Sequence, residues 1–259
     1  MPSNKPINLS LQELIQEPPI LEVCVDTIQA AILAEKAGAD RIELCSALDL
    51  GGVTPSGPLM TGVRNAINVP LIVLIRSRAG DFLYEDLEYE LMVQEAKQAI
   101  ELGADGIAIG GLMASRQLNI PFLRSVVNAL PKCQLVMHRA FDLVREPAIA
   151  LEELVKLGFT RILTSGGPAM AIDGLPNLRS LSEWSQSRIE ILPAGGVTAA
   201  NAEVILAKSG ARQLHGSFRM SHGKATVRFP DSTAITQTKA ILRSMIWNGE
   251  AGPPEHHFR

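Results

Sequence analysis

The side chains in this sequence with the most chemistry to offer stand at the ends of short apolar runs. Leu135-Val136-Met137 stops on His138 and Arg139, with Asp142 three residues further on, and Leu71-Ile72-Val73-Leu74-Ile75 stops on Arg76. Leu21-Glu22-Val23-Cys24-Val25-Asp26 and Ile42-Glu43-Leu44-Cys45-Ser46 alternate aliphatic residues with acids and cysteines. In a strand, period two puts Glu22, Cys24 and Asp26 on one face, and likewise pairs Glu43 with Cys45. Neighbouring parallel strands lie about 4.8 Å apart, so Cys24 and Cys45 become lateral partners if both polar faces point the same way. Two thiolates at that separation suit a soft ion such as Cu(I); protonated, they would pack as small hydrophobes. An unpaired buried carboxylate is costly. Arg76 and Arg139 are the expected partners of Glu22 and Glu43, either in a structural ion-pair ring closing the top or in a working site. His138 suits a general base, a metal ligand or a hydrogen bond into the core, because histidine ordinarily titrates near neutrality. With Asp142 and His215 added, the rim holds more titratable groups than packing requires. Cys133, in a turn beside Lys132, is read as incidental.

Three glycine clusters stand at later strand ends: Gly110-Gly111, Thr164-Ser165-Gly166-Gly167 and Ala194-Gly195-Gly196-Val197-Thr198. The last runs into Ala199-Ala200-Asn201-Ala202, a helix start with Thr198 as its expected cap. Glycine-rich turns that feed a helix expose backbone N–H groups and favour anions; singly, each cluster also serves simply as a tight turn. His215-Gly216-Ser217 ends the final strand beside them. The expected anion site therefore combines Arg139, Ser165, Gly166, Gly167, Gly195, Gly196, His215 and Ser217.

The elements that must hold these groups follow from a recurring phrase, a helix closed by glycine and followed by an apolar strand. Its glycines are Gly38, Gly103, Gly158 and Gly210, separated by 65, 55 and 52 residues. A βα unit takes roughly 30 residues, so each interval spans two units. Eight strands are predicted, over 20–25, 41–46, 70–76, 106–110, 134–139, 161–165, 189–194 and 212–217. Apolar residues at helical spacing fill the gaps, as in Leu91, Ala96, Ala99 and Ile100, or Leu151, Leu154 and Val155. Strict alternation repeated eight times predicts an α/β fold, a single-domain (β/α)8 TIM barrel, with a doubly wound open sheet as the rival. Barrel active sites lie at the carboxyl ends of the strands, and the phosphate site often follows strands seven and eight. The barrel is expected over 20–247, with an N-terminal arm over 1–19 and a tail over 248–259. In the arm, Leu9–Gln16 could form a short helix capped by Ser10. A loop is expected over 219–233 and a closing helix from Thr236 to Trp247. The pair His256-His257 reads as a solvated terminus.

Composition narrows the function classes. The 259 residues carry a net charge of −3, which gives no electrostatic footprint for nucleic acid or an anionic membrane. No apolar run approaches a membrane span, and the first 19 residues lack a signal-peptide core. Three cysteines in a chain of this size argue for a reducing compartment, hence a cytosolic protein without a disulfide framework.

The sequence resembles the CutC family of copper homeostasis proteins. The resemblance rests on Leu21–Asp26, Gly38–Cys45, Gly51-Gly52-Val53-Thr54-Pro55-Ser56, Ile75-Arg76-Ser77-Arg78-Ala79-Gly80-Asp81-Phe82, His138–Asp142, Ile162–Gly167 and Pro193–Val197. It runs in order over about residues 20–220. It implies a TIM barrel in the cytosol, a homodimer or higher homo-oligomer, and a Cu(I) site at the cysteines matching Cys24 and Cys45. The expected function is therefore copper homeostasis through Cu(I) held by those two residues. The rival is a barrel enzyme of lyase, isomerase or hydrolase type acting on a small anionic metabolite, phosphorylated ones included. There Glu43, Arg76, His138 and Asp142 would form the catalytic set, and the glycine turns would grip the anion. A pure scaffold is disfavoured, since it would leave the rim's chemistry without purpose.

Overall fold

A computed structural model describes residues 18–130, 132–219 and 229–245. Eight strands alternate with eight α-helices: β1 Ile20–Val25, α1 Ile28–Lys36, β2 Arg41–Leu44, α2 Gly57–Ala66, β3 Leu71–Leu74, α3 Asp86–Glu101, β4 Gly106–Ile109 and α4 Ile120–Ala129. Then follow β5 Gln134–Met137, α5 Pro147–Leu157, β6 Arg161–Thr164, α6 Leu175–Ser185, β7 Glu190–Pro193, α7 Ala202–Ser209, β8 Gln213–Gly216 and α8 Ser232–Ser244. The strands are parallel and pair in chain order, and β1 also pairs with β8. This is the expected TIM barrel and not an open doubly wound sheet. Between β7 and β8 the described residues form no backbone ladder. The two strands lie side by side, bridged by the side chains of Gln213 and Glu190.

Alternation along each strand decides which face points inward. Leu21, Val23, Ile42, Leu44, Leu71, Val73, Ile107, Leu135 and Ile162 pack outward against the helices in the main apolar core. The inward set begins with polar groups at the amino ends of the strands. Arg41 pairs with Glu22 and bonds Gln213 at 2.6 Å, and Arg161 bonds Gln134 at 2.5 Å. Above this floor lies a small dry layer that includes Ile72, Leu74, Ala108, Val136, Leu163 and Leu192, joined by Cys24 and Cys45. The buried Arg–Glu pair therefore lies at the opposite end from the one expected, and its cation is Arg41, not Arg76 or Arg139, with Arg161 beside it on the neutral Gln134 amide. Burial beside Arg41 pulls the Arg161 pKa down to about 10.

Gly38, Gly103, Gly158 and Gly210 all have φ between +72° and +105°. The repeated helix-ending glycine is thus a left-handed stop that turns the chain into the next strand. Other expectations shift. The ladders of β2 and β3 stop at Leu44 and Leu74, and the residues just beyond, Cys45 and Arg76, carry the site chemistry. In α3 Met92, Ala96 and Ala99 are buried, while Leu91 is half exposed. Helix α7 starts at Ala202 with Asn201 at its cap position, and Thr198 lies one turn earlier, where its carbonyl accepts from Ala202 N–H. Asp231 accepts from the N–H groups of Thr233 and Ala234 and so caps α8, which begins at Ser232 and not at the expected Thr236. The arm with Ser10, most of the 219–233 loop, Trp247 and the His256-His257 tail lie outside the described residues. Among the described residues no helix is long and apolar enough to cross a membrane.

Candidate functional site

On one wall of the cup, the β1–β2 register sets Glu43 beside Cys24. The next inward residue of the second strand is Cys45, and the two sulfurs are 3.8 Å apart. Cys45 Sγ also reaches the Val25 carbonyl at 3.6 Å. All three cysteines are free thiols, and Cys24 and Cys45 are buried. His215, from β8, joins this wall. Its Nδ1 is 2.7 Å from Glu22 and its Nε2 is 3.7 Å from Glu43. Ligand atoms of Cys24, Glu43 and His215 all lie within 4.8 Å of one another. Glu22 and Glu43 thus find His215 and Arg41 as partners, in place of Arg76 and Arg139. Asp26 faces Arg219 at 3.8 Å.

The charges follow from this packing. Burial resists ionisation of Glu22, but Arg41 and His215 outweigh it and hold its pKa below the usual carboxylate value. Burial raises the pKa of Glu43, with Glu22 adding to the rise against the opposing pull of His215. Burial also opposes a charge on His215, but the two glutamates prevail and raise its pKa. The hydrogen bond with Cys45, then burial, then the nearby acid Glu43 push the Cys24 thiol well up. These residues suit a soft metal ion. Two metal–sulfur bonds of about 2.3 Å span up to about 4.6 Å, so sulfurs 3.8 Å apart can both reach one ion. Sulfur donors select Cu(I), and His215 stands beside Cys24 and Glu43 as a further nitrogen donor.

The facing wall comes from β3, β4 and β5. Arg76 reaches the carbonyls of Gly52 at 3.0 Å, Leu50 at 3.3 Å and Gly80 at 2.6 Å. The His138 ring lies over Gly110, where a Cβ would come within 2.7 Å of it, so that glycine makes room for the imidazole. His138 Nδ1 accepts from Ala140 N–H at 3.2 Å, so its proton resides on Nε2. Burial, helped by the charge of Arg76, lowers its pKa to about 3. Phe82 covers both groups, with its ring 5.0 Å from the imidazole and 4.8 Å from the Arg76 guanidinium carbon.

A cavity of about 240 Å³ lies between the walls. Of the residues expected from sequence, it is lined by Cys24, Glu43, Arg76, His138, Arg139, Gly195, Gly196, His215 and Ser217. Cys45 does not line it and is buried behind the wall, in contact with Cys24. Gly166, Gly167 and Asp142 line a neighbouring cavity instead, with Phe141, Asn177 and Trp184. The amides at Ser165 and Gly167, expected to grip an anion, already donate to Asp142, at 2.9 and 3.4 Å. Asp142 further accepts from Thr164 Oγ1 at 2.5 Å and Arg139 Nε at 2.8 Å. It is the anion of that loop, which binds Arg139 and the Ser165 hydroxyl into one network. Sequence reasoning assigned no role to Phe82 or Arg41, and read Gly110 only as part of a glycine-rich turn and not as the space for an imidazole. Phe82 lay within a motif that carried the resemblance; the contacts of Arg41 run between strands distant in sequence and left no local signal.

Eight βα units around a packed interior, with thiols, acids and imidazoles gathered at the carboxyl ends of the strands, define a TIM-barrel protein with a polar, sulfur-bearing cup. The model of the CutC family matches residues 19–220, and the chain belongs to that family. It is 43% identical over 200 residues to the copper homeostasis protein cutC homolog of Homo sapiens, covering 77% of this chain and 73% of that one. The mouse homolog is 43% identical over 246 residues, 88% of this chain and 90% of its own. Among solved structures, the copper homeostasis protein CutC from Streptococcus agalactiae superposes with a TM-score of 0.74 at 32% identity, covering 77% of this chain and 98% of that one.

Proposed function

We propose that this chain is a cytosolic copper-homeostasis protein that holds Cu(I) between Cys24 and Cys45. The observation that carries the reading is the thiol pair, buried and unbridged, with its sulfurs 3.8 Å apart at the base of the cup. The names of the human and mouse relatives point the same way. The ion, when bound, contributes a soft centre for two thiolates. The chain's own residues do the rest: Glu43 and His215 flank the sulfurs, and the apolar layer beneath excludes water. Binding must release the thiol protons, so affinity rises with pH. Anaerobic Cu(I) titration against a chromophoric chelator tests this. The Cys24→Ser and Cys45→Ser variants should each weaken binding at least a hundredfold, about 2.7 kcal/mol; unchanged affinity in both ends the reading.

The protein is further proposed to be a homodimer or higher homo-oligomer. Leu87 and Leu91, four residues apart on α3 and 77% and 50% exposed, support a covered face there. Light scattering after size exclusion gives the mass, and a monomer at every concentration would remove this part.

A further inference from the structure

The cavity wall opposite the thiols carries a charge without an ion-pair partner. Arg76 is 6% exposed; its terminal nitrogens donate to the neutral carbonyls of Leu50, Gly52 and Gly80, its guanidinium stacks on Phe82, and the neutral Tyr84 hydroxyl lies beside it. Among the described residues no carboxylate lies within ion-pairing distance of it, whereas Arg41, similarly buried, pairs with Glu22. Asp81, which feels the charge of Arg76, is exposed and pairs with Arg78 at 3.0 Å. A buried guanidinium left unpaired is costly. Two donors on this wall are also unmet: Arg76 Nε–H and His138 Nε2–H are buried and have no hydrogen-bond partner. Each such orphan costs about 1–3 kcal/mol. In a native fold such groups ask for an explanation, and both residues line the same cavity.

We propose that the cup binds a small carboxylate whose charge is met by Arg76 and whose oxygens accept from Arg76 Nε–H and His138 Nε2–H. The chemistry is selective in several ways. One uncompensated cation fits a monoanion better than a phosphate dianion. The imidazole faces the ligand as a neutral donor, since Nδ1 is already occupied by Ala140; such a donor polarises a carbonyl or carboxyl oxygen without demanding a second negative charge. Phe82 dries the pair, and hydrogen bonds strengthen in a low-dielectric setting. About 240 Å³ is below the usual range for drug-sized ligands, which restricts the occupant to a small acid. The half-buried hydroxyl of Ser217 and the turn Gly195-Gly196 complete the lining from β7 and β8. This site uses the β3–β5 wall and does not depend on the copper reading.

The test is histidine-detected 1H–15N NMR on the copper-free protein, titrated separately with acetate, pyruvate and inorganic phosphate. The free protein should show His138 protonated at Nε2, and acetate or pyruvate should shift that signal saturably. His138→Asn retains an acceptor for Ala140 N–H and removes the ring donor, and should weaken carboxylate binding at least tenfold by calorimetry. The Cys24→Ser/Cys45→Ser double variant should bind the carboxylate as wild type does, whatever becomes of its copper affinity. Absence of any saturable shift at His138 with either carboxylate overturns the proposal, as does equal affinity in His138→Asn. Saturation by phosphate alone would overturn the assignment to a carboxylate.

Discussion

Lowering the pH from 7 to 5 should destabilise this protein through His138 by an amount that the fold sets. The imidazole is buried, and Arg76 adds a repelling charge, so its pKa falls from the ordinary value near 6.5 to about 3. The folded value is the depressed one, so as the pH drops the unfolded chain takes up this proton first. The contribution to stability is complete above pH 6.5, drains away below it, and levels off once the pH passes 3. Each pH unit in that window costs about 1.4 kcal/mol, so at pH 5 the loss is about 2 kcal/mol. Urea unfolding followed by far-UV circular dichroism, at pH 7 and pH 5, measures it. The comparison protein is His138→Asn, which keeps the Ala140 bond and has no proton to gain. His215 and the buried glutamates titrate alike in both proteins and cancel in the double difference. Wild type should lose about 2 kcal/mol more than the variant between the two pH values. Equal losses would refute the claim that the fold holds His138 neutral.

Two further perturbations probe the frame around the site. Asp142→Asn replaces an acceptor that serves Arg139, Thr164, Ser165 and Gly167 with a group that must donate in part, and breaks the ion pair with Arg139. A loss of about 2–4 kcal/mol in urea unfolding is expected, and a loss under half that would mean the loop is held by something else. Arg41→Met leaves the Glu22 charge in the barrel floor with His215 as its remaining partner and should cost up to about 3 kcal/mol, the lower end for a broken buried pair. The double variant Arg41→Met/Glu22→Gln should recover most of it, and a double variant no more stable than the single one would contradict the ion-pair explanation.

Much of the architecture was legible because its signals are local. A glycine in the left-handed conformation must follow a helix to turn the chain, and four such glycines at doubled βα spacing announced the barrel. Period two announced that Glu22 and Cys24, or Glu43 and Cys45, share a face. Pairing across the interior left no such trace. Which arginine meets which glutamate depends on depth in the barrel, and Arg41 reads in sequence as the surface residue that opens a strand. In space it lies level with Glu22, while Arg76 lies at the far rim. The Gly166-Gly167 turn showed the right residues for anion binding, yet a side chain of the same molecule, Asp142, fills that role from the turn after β5. Glycine content reports an available nest and is silent about its occupant.

The join between β7 and β8 bears on how the cup can move. Seven of the eight strand contacts are laddered by backbone, and shear across any of them breaks rungs of the sheet. At the remaining one, a single amide-to-carboxylate contact at the floor acts as a clasp, with nothing comparable above it among the described residues. The strand ends bearing Gly195-Gly196 and Ser217 are therefore joined by side-chain packing and the covering helices, so sliding at this seam breaks no backbone rung and its resistance comes from packing alone.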